Sequence, residues 1–171
     1  MIRMRTFVAS VLGLLLLAFS TRGFAATNRV VNFGKVNDFL YRGGQPDLRA
    51  IQELKALGVK SVINLRMTND VWAPEPALAA ASSITYTNIP LNPLAAPTGA
   101  QVTSVLAAIS SMPKPVFIHC QHGCDRTGTI IALYRIREDR WPSSKALREA
   151  EAYGISPYEV EMRQLIKDFK P

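Results

Sequence analysis

Val116-Phe117-Ile118-His119-Cys120-Gln121-His122-Gly123-Cys124-Asp125-Arg126-Thr127-Gly128-Thr129-Ile130-Ile131-Ala132-Leu133-Tyr134 decides how this chain is read. Val116–Ile118 is a short β-branched and aromatic run entered through Pro113 and Pro115, the pattern of a buried strand. Residues 119–127 are polar and hold a glycine at 123, and the apolar residues from Gly128 onward continue as a helix. The unit is therefore strand, tight loop, helix, with a cysteine at the strand end and an arginine six positions on.

A loop wound into a helix N-terminus aims backbone N–H groups at one point and adds the positive end of the helix dipole. Residues Gln121 to Arg126 can supply those donors, and Gly123 permits a positive φ that a side chain would resist. The planar fork of Arg126 can engage two oxygens of a phosphate at once. The same field favours a thiolate at Cys120, since cysteines at helix N-termini or beside cations ionise as low as about pH 3.5–7.5. Thr127 can hydrogen-bond the Cys120 sulfur or ease its departure, and His119 suits a buried organiser of the loop better than a base. The loop can hold a phosphate dianion and attack it.

Working outward, Val30–Phe33 and Phe39–Arg42 read as short strands, followed by a Gly43-Gly44-Gln45-Pro46 turn and an Asp47 cap. Leu48, Ile51, Leu54 and Leu57 mark a helix stopped by Gly58. Lys60–Arg66 and Ile84–Ile89 read as strands, with a polar loop over 67–74 and a short Ala-rich helix over 76–82 between them. A proline-rich loop, 90–98, leads into a helix ending near Ser111. Helices follow over about 126–139, 143–153 and 157–169. Strands alternating with helices imply one α/β domain over 26–171, with a central, mostly parallel sheet of about four to five strands flanked by helices. Sites in such sheets form at the carboxyl ends of the strands, where Arg66, Asn88 and Cys120 fall.

His119-Cys120-(x)5-Arg126-Thr127, with Gly123 inside, resembles the signature of cysteine-dependent protein tyrosine and dual-specificity phosphatases. Tyr41-Arg42-Gly43-Gly44-Gln45-Pro46 and Leu57–Arg66 extend the resemblance to the compact dual-specificity branch that has bacterial, plant and fungal members. Together they cover about residues 29–140. The resemblance implies a dual-specificity phosphatase-like fold and two-step phosphomonoester hydrolysis. Cys120 attacks phosphorus, Arg126 holds the phosphoryl oxygens, and water then hydrolyses the cysteinyl-phosphate. Gln121, His122, Gly123, Cys124 and Thr127 would line the phosphate, and no metal or other cofactor is implied.

The family commonly carries its acid as an Asp after the strand preceding the signature strand. Here that loop, Leu91–Pro97, offers Asn92 and no carboxylate. Asp125 is the first substitute, because Gly-x-Asp-Arg-Thr is similar to the ending of myotubularin-type loops, where the Asp is the favoured acid. Asp70 is the second and Glu75 the third. Asp125 also suits a helix cap. His122 fits a solvent-facing loop position, Cys124 a small filler, and Arg66 and Arg42 either structural roles or a second cation near the phosphate.

Arg3 and Arg5 precede an apolar run over 6–19, and Gly23-Phe24-Ala25 offers a cleavage site, so residues 1–25 read as a signal peptide. The run is short for a membrane span of about 20 residues. Cleavage would remove three arginines and no acid, taking the formal net charge from +7 to +4. That suits small anionic substrates and argues against a nucleic-acid partner. The expectation is a periplasmic or secreted protein without a stable membrane span, acting on a phosphorylated protein or a small phosphoester. Phosphoinositides and other envelope phosphoesters remain alternatives.

Cys120 and Cys124 are the only cysteines, so a disulfide framework is excluded, although a regulatory bond between these two remains conceivable in an oxidising compartment. His119 and His122 are the only histidines. Zinc would want two separated ligand pairs and would face Arg126, so no metal is expected. A phosphate-binding module lacking its acid is the competing class, and sulfur transfer or arsenate reduction a third.

Overall fold

The computed structural model describes residues 29–171; the segment read as a signal peptide lies outside them. Its strands are β1 (Gly34–Asn37), β2 (Leu40–Gly43), β3 (Ser61–Asn64), β4 (Thr85–Asn88) and β5 (Val116–His119). Its helices are α1 (Leu48–Ala56), α2 (Glu75–Ala81), α3 (Gly99–Ser111), α4 (Asp125–Arg137), α5 (Ser143–Ala152) and α6 (Val160–Asp168). The sheet order is β1-β2-β5-β3-β4, with β1 antiparallel to β2 and the remaining neighbours parallel. This is the mostly parallel, helix-flanked sheet expected from the alternation of elements.

Alternation along β5 sorts the two faces. Val116 and Ile118 join Leu40, Ile63 and the apolar residues of α3, α4, α5 and α6 in the larger core. Phe117 joins Tyr41, Val62 and the buried face of α1 in the smaller one. His119, two residues on from Phe117, stacks on its ring at 5.5 Å. All four residues of β5 are buried, which explains an apolar run without polar alternation.

Caps set the entry angles. Asp47 accepts the Ala50 N–H at 2.7 Å, as expected, and Thr98 forms a reciprocal capping box with Gln101. The first strand is displaced from expectation. Val30–Phe33 form a turn, with Asn32 at φ 53°, and the strand is Gly34–Asn37. The apolar pair Val30-Val31 suggested a strand, but Val30 is buried while Val31 is exposed, and neither lies in a strand. The last helix starts at Val160 rather than near Pro157, because residues 156–159 form a turn tied to Asp125 at the start of α4.

Candidate active site

The carboxyl ends of β2, β5, β3 and β4 lie along one edge of the sheet, and the 120–126 loop crosses it. Gly123 is the pivot. Its φ is +75°, and a Cβ there would sit 2.5 Å from the Gly43 carbonyl carbon and 2.6 Å from the Gly44 nitrogen. Both conditions exclude any other residue, so glycines on β2 and in the loop are matched to each other. The Gln45 N–H donates to the Gln121 carbonyl at 3.0 Å and seals that contact. Gly123→Ala should therefore cost at least about 1–3 kcal/mol from backbone strain alone. Urea unfolding of the variant should show the loss, with activity falling further because the loop must move.

Cys120 is buried, and its sulfur accepts the Gly123 N–H at 3.3 Å. Arg126 is buried too. Its Nη1 lies 3.5 Å from the carbonyls of Leu65 and Leu91, just beyond the ends of β3 and β4. Among the described residues it meets no carboxylate, so its charge stays available beside the loop. Gln121 and His122 are exposed on the rim. Thr127 is buried as part of α4, but its hydroxyl has no partner among the described residues, so the expected bond to the Cys120 sulfur is not made in this state.

His119 is held on both sides. Its Nε2 lies 2.8 Å from Glu75 Oε1, and its Nδ1 lies 3.1 Å from the Cys120 carbonyl. Glu75 Oε2 accepts from Asn64 Nδ2 at 2.8 Å, and Asn64 also meets the Tyr86 hydroxyl. Glu75, His119 and Asn64 are all buried. This chain of contacts runs from α2 through His119 to the backbone at the cysteine. Glu75, third among the acids, is committed to this network. Its significance was not visible in the sequence, because only the fold brings α2 under β5.

Asp125 opens α4, and its Oδ1 accepts the Ser156 N–H at 2.8 Å, tying the loop to the α5–α6 turn. Asp70 lies across the site, bidentate with Arg66 at 2.7 and 3.1 Å. That hydrogen bonding, with the charges of Arg66 and Arg126, holds the Asp70 carboxyl below its ordinary range. Arg66 Nη1 donates to Gln45 Oε1 at 2.9 Å. These residues and Trp72 border a cleft of about 600 Å³ whose Gln45 wall adjoins the loop. Cys124 is a free thiol like Cys120; its sulfur accepts from Asn32 Nδ2 at 2.9 Å. Burial first, then the neighbouring Asp125 and Cys120, push its thiol upward, so it stays protonated.

A cysteine at the end of a central parallel strand, a glycine-pivoted loop and a buried arginine at a helix start are the parts expected in the cysteine-dependent phosphatases of the dual-specificity type. The chain belongs to the family described as PTP-NADK, a dual-specificity phosphatase fused to NAD+ kinase, whose match spans residues 24–168. It is 29% identical over 174 residues to the dual specificity protein phosphatase TpbA of Pseudomonas aeruginosa, covering 94% of this chain and 76% of that one. In TpbA of a second strain the match spans 61% of the relative's length. The crystal structure of TpbA superposes with a TM-score of 0.71 at 25% identity, covering 82% of this chain and 86% of that chain. Inositol diphosphatase DSP5 of Arabidopsis thaliana is 26% identical, over 81% of this chain and 69% of its own.

Proposed function

We propose that this protein hydrolyses phosphomonoesters of proteins, phosphotyrosine among them, through a phosphocysteine at Cys120. The observation that carries the reading is the Cys120 sulfur seated under the Gly123 N–H, with the Arg126 guanidinium buried beside the same loop and, among the described residues, free of any carboxylate. Arg126 and the loop amides bind the phosphoryl oxygens and take up the charge that develops on them. A structure of TpbA holds phosphotyrosine, which supports the same substrate class here. The name of DSP5 supports a second reading, an inositol diphosphate substrate.

Asp125 serves as the acid. Glu75 is locked to His119, and Asp70 is held as a carboxylate by Arg66, which disfavours it as a proton donor at neutral pH. Asp125 spends Oδ1 on Ser156 and keeps Oδ2 for the leaving oxygen. Asp125→Asn retains the acceptor for Ser156 and removes the proton. Turnover of poor leaving groups such as phenyl phosphate should fall by about 10²–10⁴-fold, with a far smaller loss for activated aryl phosphates. An equal loss for both would remove Asp125 from this role, and the same comparison on Asp70→Asn would then identify the acid.

The protein works after export. The reading is supported by the basic start, apolar run and Gly23-Phe24-Ala25, and sequencing of the mature N-terminus from a periplasmic fraction tests it, with Ala26 expected first. The function itself is tested by phosphate release from a generic aryl phosphate. Steady turnover supports the enzyme, and binding of phosphate without turnover supports the binding-module alternative. Phosphotyrosine peptides compared with inositol diphosphates on kcat/KM then decide the substrate.

A further inference from the structure

Like Arg126, Arg42 is an arginine buried without a counter-charge among the described residues. It leaves β2 on the same face as Leu40, at 1% exposure, and its Nη2 donates to the Gly123 carbonyl. The guanidinium lies 3.9 Å from the centroid of the Tyr153 ring. A Cβ on Gly128 would sit 3.8 Å from Nη2, so the group is pressed against the first turn of α4. No carboxylate lies within ion-pair distance among the described residues, and Nε and Nη1 have no hydrogen-bond partner there. The acid nearest in charge, Glu149, is already taken by Arg135 at 2.8 Å.

Burying a guanidinium without an anion is costly, and burial does pull Arg42 below its ordinary range, opposed by Tyr153, Glu149, Cys120 and Cys124. A structural arginine would normally be given a carboxylate. This one is given only the Gly123 carbonyl of the loop and the aromatic face of Tyr153 at the end of α5.

We propose that Arg42 is a second fixed cation of the site: it clamps the loop through Gly123, and its counter-charge is the Cys120 thiolate and the phosphoryl group bound above it. It does not touch substrate and is a positioning residue. Arg126 supplies the charge that contacts oxygen, while Arg42 supplies charge from below, through the loop. The other charged groups facing the thiolate do not replace it. Asp125 opposes it, His119 is turned to Glu75, and Arg66 is neutralised by Asp70. The inference rests on Cys120 being the nucleophile.

The test uses two variants of the full chain. Arg42→Gln keeps an amide donor for Gly123 and drops the charge; Arg42→Lys keeps the charge and drops the fork. The readouts are iodoacetamide alkylation of Cys120 between pH 5 and 8, and kcat/KM for an aryl phosphate over the same range. Arg42→Gln should alkylate about ten-fold more slowly at pH 6, with the acid limb of kcat/KM moved up by about one pH unit. Arg42→Lys should keep the wild-type pH profile within about two-fold while losing kcat. A folded Arg42→Gln with the wild-type profile overturns the proposal. If Arg42→Gln does not fold, a ten-fold slower alkylation in Arg42→Lys overturns it. A wild-type Cys120 that alkylates but is dispensable for turnover instead removes the nucleophile reading beneath it.

Discussion

Cys120→Ser should lower kcat by at least about 10⁴-fold while leaving phosphate binding nearly intact. A serine hydroxyl is a far weaker nucleophile than a cysteine sulfur, so the variant keeps the cradle and loses the nucleophile. Arg126 and the loop amides remain, and Gly123 can still donate to the shorter side chain. Inorganic phosphate should therefore protect the variant against unfolding as it does the wild type, by about 2.7 kcal/mol at a hundred times Kd. Turnover by Cys120→Ser within ten-fold of wild type would remove the covalent mechanism. Loss of phosphate protection would show instead that the sulfur itself holds the loop together.

Glu75→Ala carries the second largest effect, and it falls on stability. Glu75 and His119 are buried against each other at 2.8 Å, with Asn64 on the second carboxylate oxygen. Removing Glu75 leaves the buried His119 Nε2 without its partner and takes one of two acceptors from the Asn64 amide, a loss of about 3–5 kcal/mol. For a domain of this size that is a fall in Tm of about 10 °C. Activity should suffer too, because His119 Nδ1 meets the Cys120 carbonyl and so fixes the start of the loop. Thermal melts and aryl phosphatase assays on the same preparation separate the two losses. A melting point within about 2 °C of wild type would show that the pair carries no net stability.

The centre of the fold was legible because its signals are local. The 116–134 segment spells a buried strand, a glycine pivot and a helix in consecutive residues, and the structure follows it with α4 beginning one residue early. The β3 and β4 strands and α1 were equally plain, each bounded by Gly, Pro or a capping Asp. The first strand was not, because Asn32 adopts a left-handed conformation and reaches the His122 carbonyl and Cys124, contacts 90 and 92 positions away in sequence. The same limit hid the buried partners of the site. The sequence left Arg42 between a structural role and a second cation, and Glu75 as the third acid; neither reading could show that both are buried. Only the sheet order, which sets β2 and β3 on either side of β5, brings them beneath the loop.

The covalent intermediate is the claim on which the whole account turns. Rapid mixing of the full chain with an aryl phosphate, quenching in denaturant within one turnover, and mass analysis of the peptide containing Cys120 tests it directly. The account predicts a phosphoryl group on Cys120, accumulating before steady-state phosphate release and absent from Cys120→Ser. Steady turnover with no phosphoryl group on the protein, or with the group on another residue, would contradict it.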